Sequence, residues 1–144
     1  MGRVKVACRR LAEEWQRLRL QRKIPAAINV HITSVSARNS LMIRLLVLYG
    51  HPKDPQAFDQ YYQEAHVPIA KRMKGLKKWT IGKVRGTPDG SPSPFYYIAD
   101  LYMESREEFE ELLASPEGQA AVADVPKFAT GGVQFLYTEI EVII

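Results

Sequence analysis

Residues 42–144 predict an α+β fold, a four-stranded antiparallel sheet with helices packed on one face. Three observations carry this. Short apolar, β-prone runs recur at 43–49, 76–85, 95–103 and 133–142. Segments with helical spacing follow the first and the third of them. Gly- and Pro-rich stretches punctuate the joins. The order is therefore β-α-β-β-α-β, and two right-handed crossovers of this kind give the ferredoxin-like arrangement.

The first strand, 43–49, stops at Gly50-His51-Pro52. Asp54-Pro55 then supplies a helix cap with Pro at the first helical position. Phe58, Tyr61, Tyr62, Ala65 and Ile69 form one helical stripe. Pro68 lies inside it and cannot donate to the Glu64 carbonyl, so a kink or break is expected near His66. Lys71, Arg72 and Lys74 suit a helix C-terminus, with Gly75 as its cap. Residues 76–85 read as the second strand, 86–94 as a Pro- and Gly-rich loop, and 95–103 as an aromatic third strand. Ser105 caps a helix over 106–114, with Glu108 completing a capping box. Ser115 and Pro116 start another helical piece that runs to about Ala123. Gly131-Gly132 leads into the last strand.

The 144-residue length suits one such domain, and 46% apolar with 25% charged residues is ordinary for a globular chain. Its charge is not evenly spread. Residues 1–41 hold nine Lys/Arg against two Glu, +7, whereas 42–144 hold eleven Lys/Arg against fourteen Asp/Glu, −3, giving the net +4. The basic arm reads as an amphipathic helix at 4–23, on Leu11, Trp15 and Leu18. Three readings compete for it: an Arg-rich targeting segment, a helix that docks on a membrane or partner, and translation upstream of a start at Met42. The last is favoured, because the charge balance changes where the first strand opens. The acidic body argues against nucleic acid, whose affinity rests on phosphate neutralisation. An RNA-binding sheet is disfavoured too, since 95–103 lacks the basic Gly-aromatic run. No apolar stretch is long enough to span a membrane, and the expected compartment of the 42–144 domain is the cytoplasm. The single Cys8 cannot form an intramolecular disulfide.

Trp79, Phe95, Tyr97, Phe135 and Tyr137 put aromatic surface on three strands, and some is expected to stay exposed on the bare sheet face. Pairing two sheets in a homodimer is the simplest cover.

The run from Phe58 through Tyr61-Tyr62, His66, Pro68 and Ala70 to Gly75-Leu76 resembles the F-x-x-Y-Y-x-x-x-H-x-P-x-A…G-L signature of the EthD family. Ser115-Pro116-Glu117-Gly118, with Asp124 and Phe128 beyond it, is similar to that family's S-P-E-G…D-x-x-x-F stretch. The resemblance covers essentially 42–142 and leaves the arm outside. It implies a dimeric α/β barrel and a role in small-molecule catabolism, the family taking its name from bacterial ethyl tert-butyl ether degradation. Superfamily relatives include monooxygenases, haem-degrading enzymes and isomerases, so the fold does not decide the chemistry. An oxidoreductase label is inherited with the family, as is the question of a visiting haem or flavin.

His66 is the leading candidate for chemistry, as a group that can take a proton near pH 7. It sits about 80° from Phe58 on an ideal helix, which predicts a cleft margin rather than the core. The competing role is structural, binding the carbonyl that Pro68 leaves unpaired. Tyr62, one turn earlier, can donate to a substrate oxygen or simply pack. Asp124 can orient His66 or cap a turn, and capping is the commoner role. Tyr61, Trp79, Tyr97 and Phe135 are candidates to line an apolar ligand cavity, against plain packing. His51, His66 and Asp124 show no metal-ligand spacing, and no phosphate-binding glycine motif precedes a helix, so no metal and no evident cofactor are expected. The expected function is an acid/base or oxidoreductase-type enzyme acting on a small apolar or aromatic molecule. The alternative is a non-catalytic binding module of a degradation pathway.

Overall fold

The computed structural model describes residues 42–144; the expected helix at 4–23 lies outside the described residues. Strands β1 (Met42–Gly50), β2 (Lys78–Lys83), β3 (Phe95–Met103) and β4 (Val133–Ile140) form one sheet in the order β2-β3-β1-β4. Every neighbouring pair is antiparallel, as the β-α-β-β-α-β order requires.

Helix α1 (Pro55–Tyr61) opens on Asp54, whose carboxylate accepts from the Ala57 N–H at 3.0 Å. It continues without a break through a π turn (Tyr62–His66) into α2 (Val67–Ala70). The irregularity expected from Pro68 therefore takes the form of a π turn and not a break: the Val67 N–H reaches back five residues to the Tyr62 carbonyl. The π turn also changes which side chains face inward. Phe58, Tyr62, His66 and Ala70 are buried, while Tyr61, Ala65 and Ile69 of the expected stripe are only half-buried. Helix α2 stops at Ala70, short of the expected Gly75 cap, and Met73 turns into the core beyond it. Gly75 instead takes a left-handed turn (φ 94°) on the way to β2.

Helices α3 (Arg106–Ala114) and α4 (Pro116–Asp124) share Ser115 as their junction. Its hydroxyl donates to the Leu112 carbonyl at 2.5 Å and accepts from the Gly118 N–H at 3.1 Å, ending one helix and starting the next. Ser105 caps α3 through the Glu108 N–H. The reciprocal half of the box is displaced by one residue, for Glu108 accepts from the Glu104 N–H. A 3-10 turn (Val125–Lys127) follows α4.

The helices cover one sheet face. Leu45, Val47 and Tyr49 of β1 and Tyr97, Ala99 and Leu101 of β3 point into the resulting core with Phe58, Phe109 and Phe128. The strand register corrects the expected exposure of aromatics. Tyr49 pairs with Tyr97, Val47 with Phe135, Leu45 with Tyr137, and Trp79 with Leu101, so Trp79, Tyr97, Phe135 and Tyr137 all share the helix-covered face. Phe95 lies half-buried at the end of β3, where the register shifts. The open face carries Leu46, Leu48, Ile98 and Leu136, with Leu136 46% exposed. Across it runs one polar line, in which Arg44 donates to Thr138 Oγ1 at 3.0 Å and pairs with Asp100 at 3.4 Å.

Candidate active site

The π turn and the end of α4 meet over the sheet. His66 is 5% exposed and Asp124 2%. His66 Nδ1 lies 2.9 Å from Asp124 Oδ2, a bond that spans 58 positions of sequence. The Tyr61 hydroxyl donates to Asp124 Oδ1 at 2.8 Å, and Lys127 Nζ reaches the same oxygen at 3.2 Å from the surface. One buried carboxylate thus serves three donors. The rings of Phe128 and Tyr62 flank the imidazole, their centroids at 4.7 and 5.1 Å.

Charge and burial set the protonation states. Burial alone would raise the Asp124 pKa, but hydrogen bonds from His66, Tyr61 and Lys127 outweigh it and hold the carboxyl below its usual value. Burial lowers the His66 pKa, and the bond to Asp124 offsets only part of that. At pH 7 the pair is therefore a carboxylate beside a neutral imidazole. A carboxylate can only accept, so Nδ1 carries the hydrogen and Nε2 is the basic nitrogen. Burial also raises the Tyr62 pKa strongly, against a hydrogen bond from Tyr49, so Tyr62 stays a neutral phenol.

Both depressed values make stability depend on pH in the same direction. As pH falls below 6.5, the unfolded chain gains a proton at His66 that the folded chain refuses. Below 3.8 the same holds for Asp124. The thermal midpoint is expected to be flat above pH 7, to fall as pH drops below 6.5, and to fall again under 3.8. In His66→Gln the first fall should vanish and the second remain, which calorimetry across pH would show.

His66 and Tyr62 line an apolar cavity of about 50 Å3 between helices and sheet, closed on the sheet side by Trp79, Leu101 and Phe135. Among the four candidate lining residues, Trp79 and Phe135 stand in this wall. Tyr97 packs beside it on Tyr62, at 4.8 Å between centroids, and accepts from Gln63 Nε2 at 3.2 Å. Tyr61 turns its hydroxyl to Asp124. His66 is deeper than the expected cleft margin because the π turn rotates it onto the face of Phe58 and Tyr62. Asp124 makes no side-chain cap on the turn that follows it. Trp79 Nε1 and the Tyr137 hydroxyl are buried and bond to no group among the described residues. Leaving such a group unpaired costs about 1–3 kcal/mol.

Sequence reasoning assigned no role to Lys127 or Phe128. The i, i+3 spacing of Asp124 and Lys127 was a usable signal for the first. Phe128 stacks on Tyr61 and packs tilted against His66, and its only signal was its place in the Asp-x-x-x-Phe run. Among the described residues no three His, Cys, Asp or Glu side chains gather as metal ligands, and no helix is long and apolar enough to cross a membrane.

A model described as the EthD domain matches residues 51–132. A Rhodococcus erythropolis protein described as an uncharacterized 11.0 kDa protein in the thcB-thcC intergenic region is 44% identical over 103 residues, covering 72% of this chain and 99% of that one. Among solved structures, an ethyl tert-butyl ether d (EthD) family protein from Bacillus halodurans is 31% identical, with a TM-score of 0.66 over 70% of this chain and 100% of its own. A dimeric ferredoxin-like protein of unknown function from Thermobifida fusca shares the fold at 13% identity, with a TM-score of 0.54 over 80% of this chain and 100% of its own.

Proposed function

The chain belongs to the EthD family, and from that premise we propose that it is a general acid/base enzyme of small-molecule catabolism, acting on an apolar or aromatic compound. The observation that carries this is the buried His66–Asp124 pair at the wall of an apolar cavity. Asp124 fixes the imidazole tautomer, and Tyr61 and Lys127 fix Asp124. His66 Nε2 takes a proton from substrate and can return it, the exchange at the heart of isomerase and lyase steps. A ketone-sized substrate exceeds the roughly 50 Å3 of this cavity, so its entry must widen the walls; once inside it loses its water, which strengthens every polar contact it makes there. The working unit in this reading is a homodimer that covers the aliphatic open face, and the dimeric protein from Thermobifida fusca gives that arrangement a precedent in the fold.

The test is proton exchange. The full-length protein is incubated in D2O with cyclopentanone, cyclohexenone and phenylacetone, and carbon–deuterium incorporation is read by NMR. His66→Gln is expected to lose about 100-fold or more of the catalysed rate. Exchange that survives His66→Gln would sink His66 as the base. Binding of these ketones without any exchange would favour a module that holds its ligand and does not transform it.

A further inference from the structure

We propose that Trp79 donates its indole N–H to an oxygen of the molecule on which His66 acts, so that the substrate is an apolar compound bearing a carbonyl- or phenolate-type acceptor. This rests on the cavity being the substrate site and names the substrate class it selects. Trp79 comes from β2 and stands in the cavity wall with His66, which comes from the π turn on the opposite side. Its Nε1 is buried and bonds to no group among the described residues, on a ring that stands in a wall otherwise made chiefly of aliphatic and aromatic side chains. An indole nitrogen only donates, so the ligand atom that satisfies it must be an acceptor. A purely hydrocarbon ligand would leave it unpaired, and a donor-only ligand would repel it. The Tyr137 hydroxyl, the other buried unpaired group among the described residues, is not part of this wall and makes no such demand.

The two groups suit one reaction step. His66 Nε2 takes a proton from the carbon next to a carbonyl. The C–H electron pair becomes a carbon–carbon double bond, and the carbonyl oxygen takes the negative charge. Trp79 stabilises that oxygen as the charge develops. Returning the proton to the same or another carbon closes the step without oxidant or reductant.

The experiment uses two probes of one shape, cyclopentanone and methylenecyclopentane, which differ in C=O against C=CH2. In a Trp15→Phe background Trp79 is the only tryptophan, and its indole N–H gives one NMR signal. Cyclopentanone is expected to move that signal downfield, and methylenecyclopentane is not. The preference for cyclopentanone should fall by about three- to tenfold in Trp79→Phe, which keeps a ring in the wall and removes the donor. Equal shifts with both probes, no shift with either, or an unchanged preference in Trp79→Phe would overturn the proposal. Should Trp79→Phe fail to fold, the indole shifts decide alone. The base assignment fails separately: exchange that survives His66→Gln sinks it while the indole response stands.

Discussion

Replacing Asp124 with Ala is expected to lower the free energy of unfolding by about 1–3 kcal/mol, the cost of leaving a buried hydrogen-bond donor without its acceptor. The size follows from what the carboxylate holds. It accepts from His66 at 2.9 Å and Tyr61 at 2.8 Å and neutralises Lys127 at 3.2 Å, while only 2% exposed itself. Alanine leaves the His66 Nδ1–H stranded in the core. Denaturant unfolding should show the loss as a lower midpoint at constant slope. Asp124→Asn separates the fold from the chemistry. Its amide oxygen can still accept from His66, so most stability should remain. The negative charge that offsets burial of the imidazolium is gone, so the His66 pKa should fall further and ketone exchange should slow by about 100-fold or more. A fully active Asp124→Asn would show that the carboxylate serves packing alone.

Gly118→Ala should be at least as damaging, for a different reason. Gly118 lies in the first turn of α4, against the last turn of α3. An added Cβ would fall on the Leu112 carbonyl oxygen and lie 2.7 Å from Leu113 Cα. Both obstacles are backbone, so the helices must part. We expect a loss of about 3 kcal/mol, or roughly 12–24 °C in Tm for a domain near 100 residues. Helix propensity points the other way, since Ala is favoured over Gly by about 1 kcal/mol in a helix interior. A more stable Gly118→Ala protein would therefore mean that the close approach of α3 and α4 is not kept in solution. Because Asp124 closes α4, parting these helices should also lengthen the Asp124–His66 bond, and exchange activity should fall with stability.

The element order was legible because each join is marked by Gly, Pro or a capping residue, and each strand by a β-prone apolar run. The face of each strand was not. In β1, Leu45, Val47 and Tyr49 alternate with Leu46 and Leu48, so both parities are apolar and alternation does not choose between them. The choice is made by the helices, which cover the aromatic parity. The stripe on the first helix misled for a related reason. Its assignment assumed a constant turn, whereas the π turn brings His66 and Ala70 inward in place of Ala65 and Ile69. His66, Tyr62 and Asp124 could be named singly from residue type and position. Their joining needed the last turn of α4 laid over the π turn, 58 positions away, and no spacing rule reaches that far.

The π turn has a consequence for how this chain can vary. Phe58, Tyr62, His66 and Ala70 recur every fourth residue, and a pure α-helix would drift about 40° at each step. The wide turn absorbs that drift, as though one extra residue had been taken up without moving either end of the helix. Chain length and side-chain heading are thereby uncoupled at one point. Loss of a single codon among 63–65 would restore regular winding while both flanking segments keep their seats, Tyr62 at the end of one and His66 at the start of the other. The chain can therefore shorten here by one residue and keep the two side chains that face the cavity.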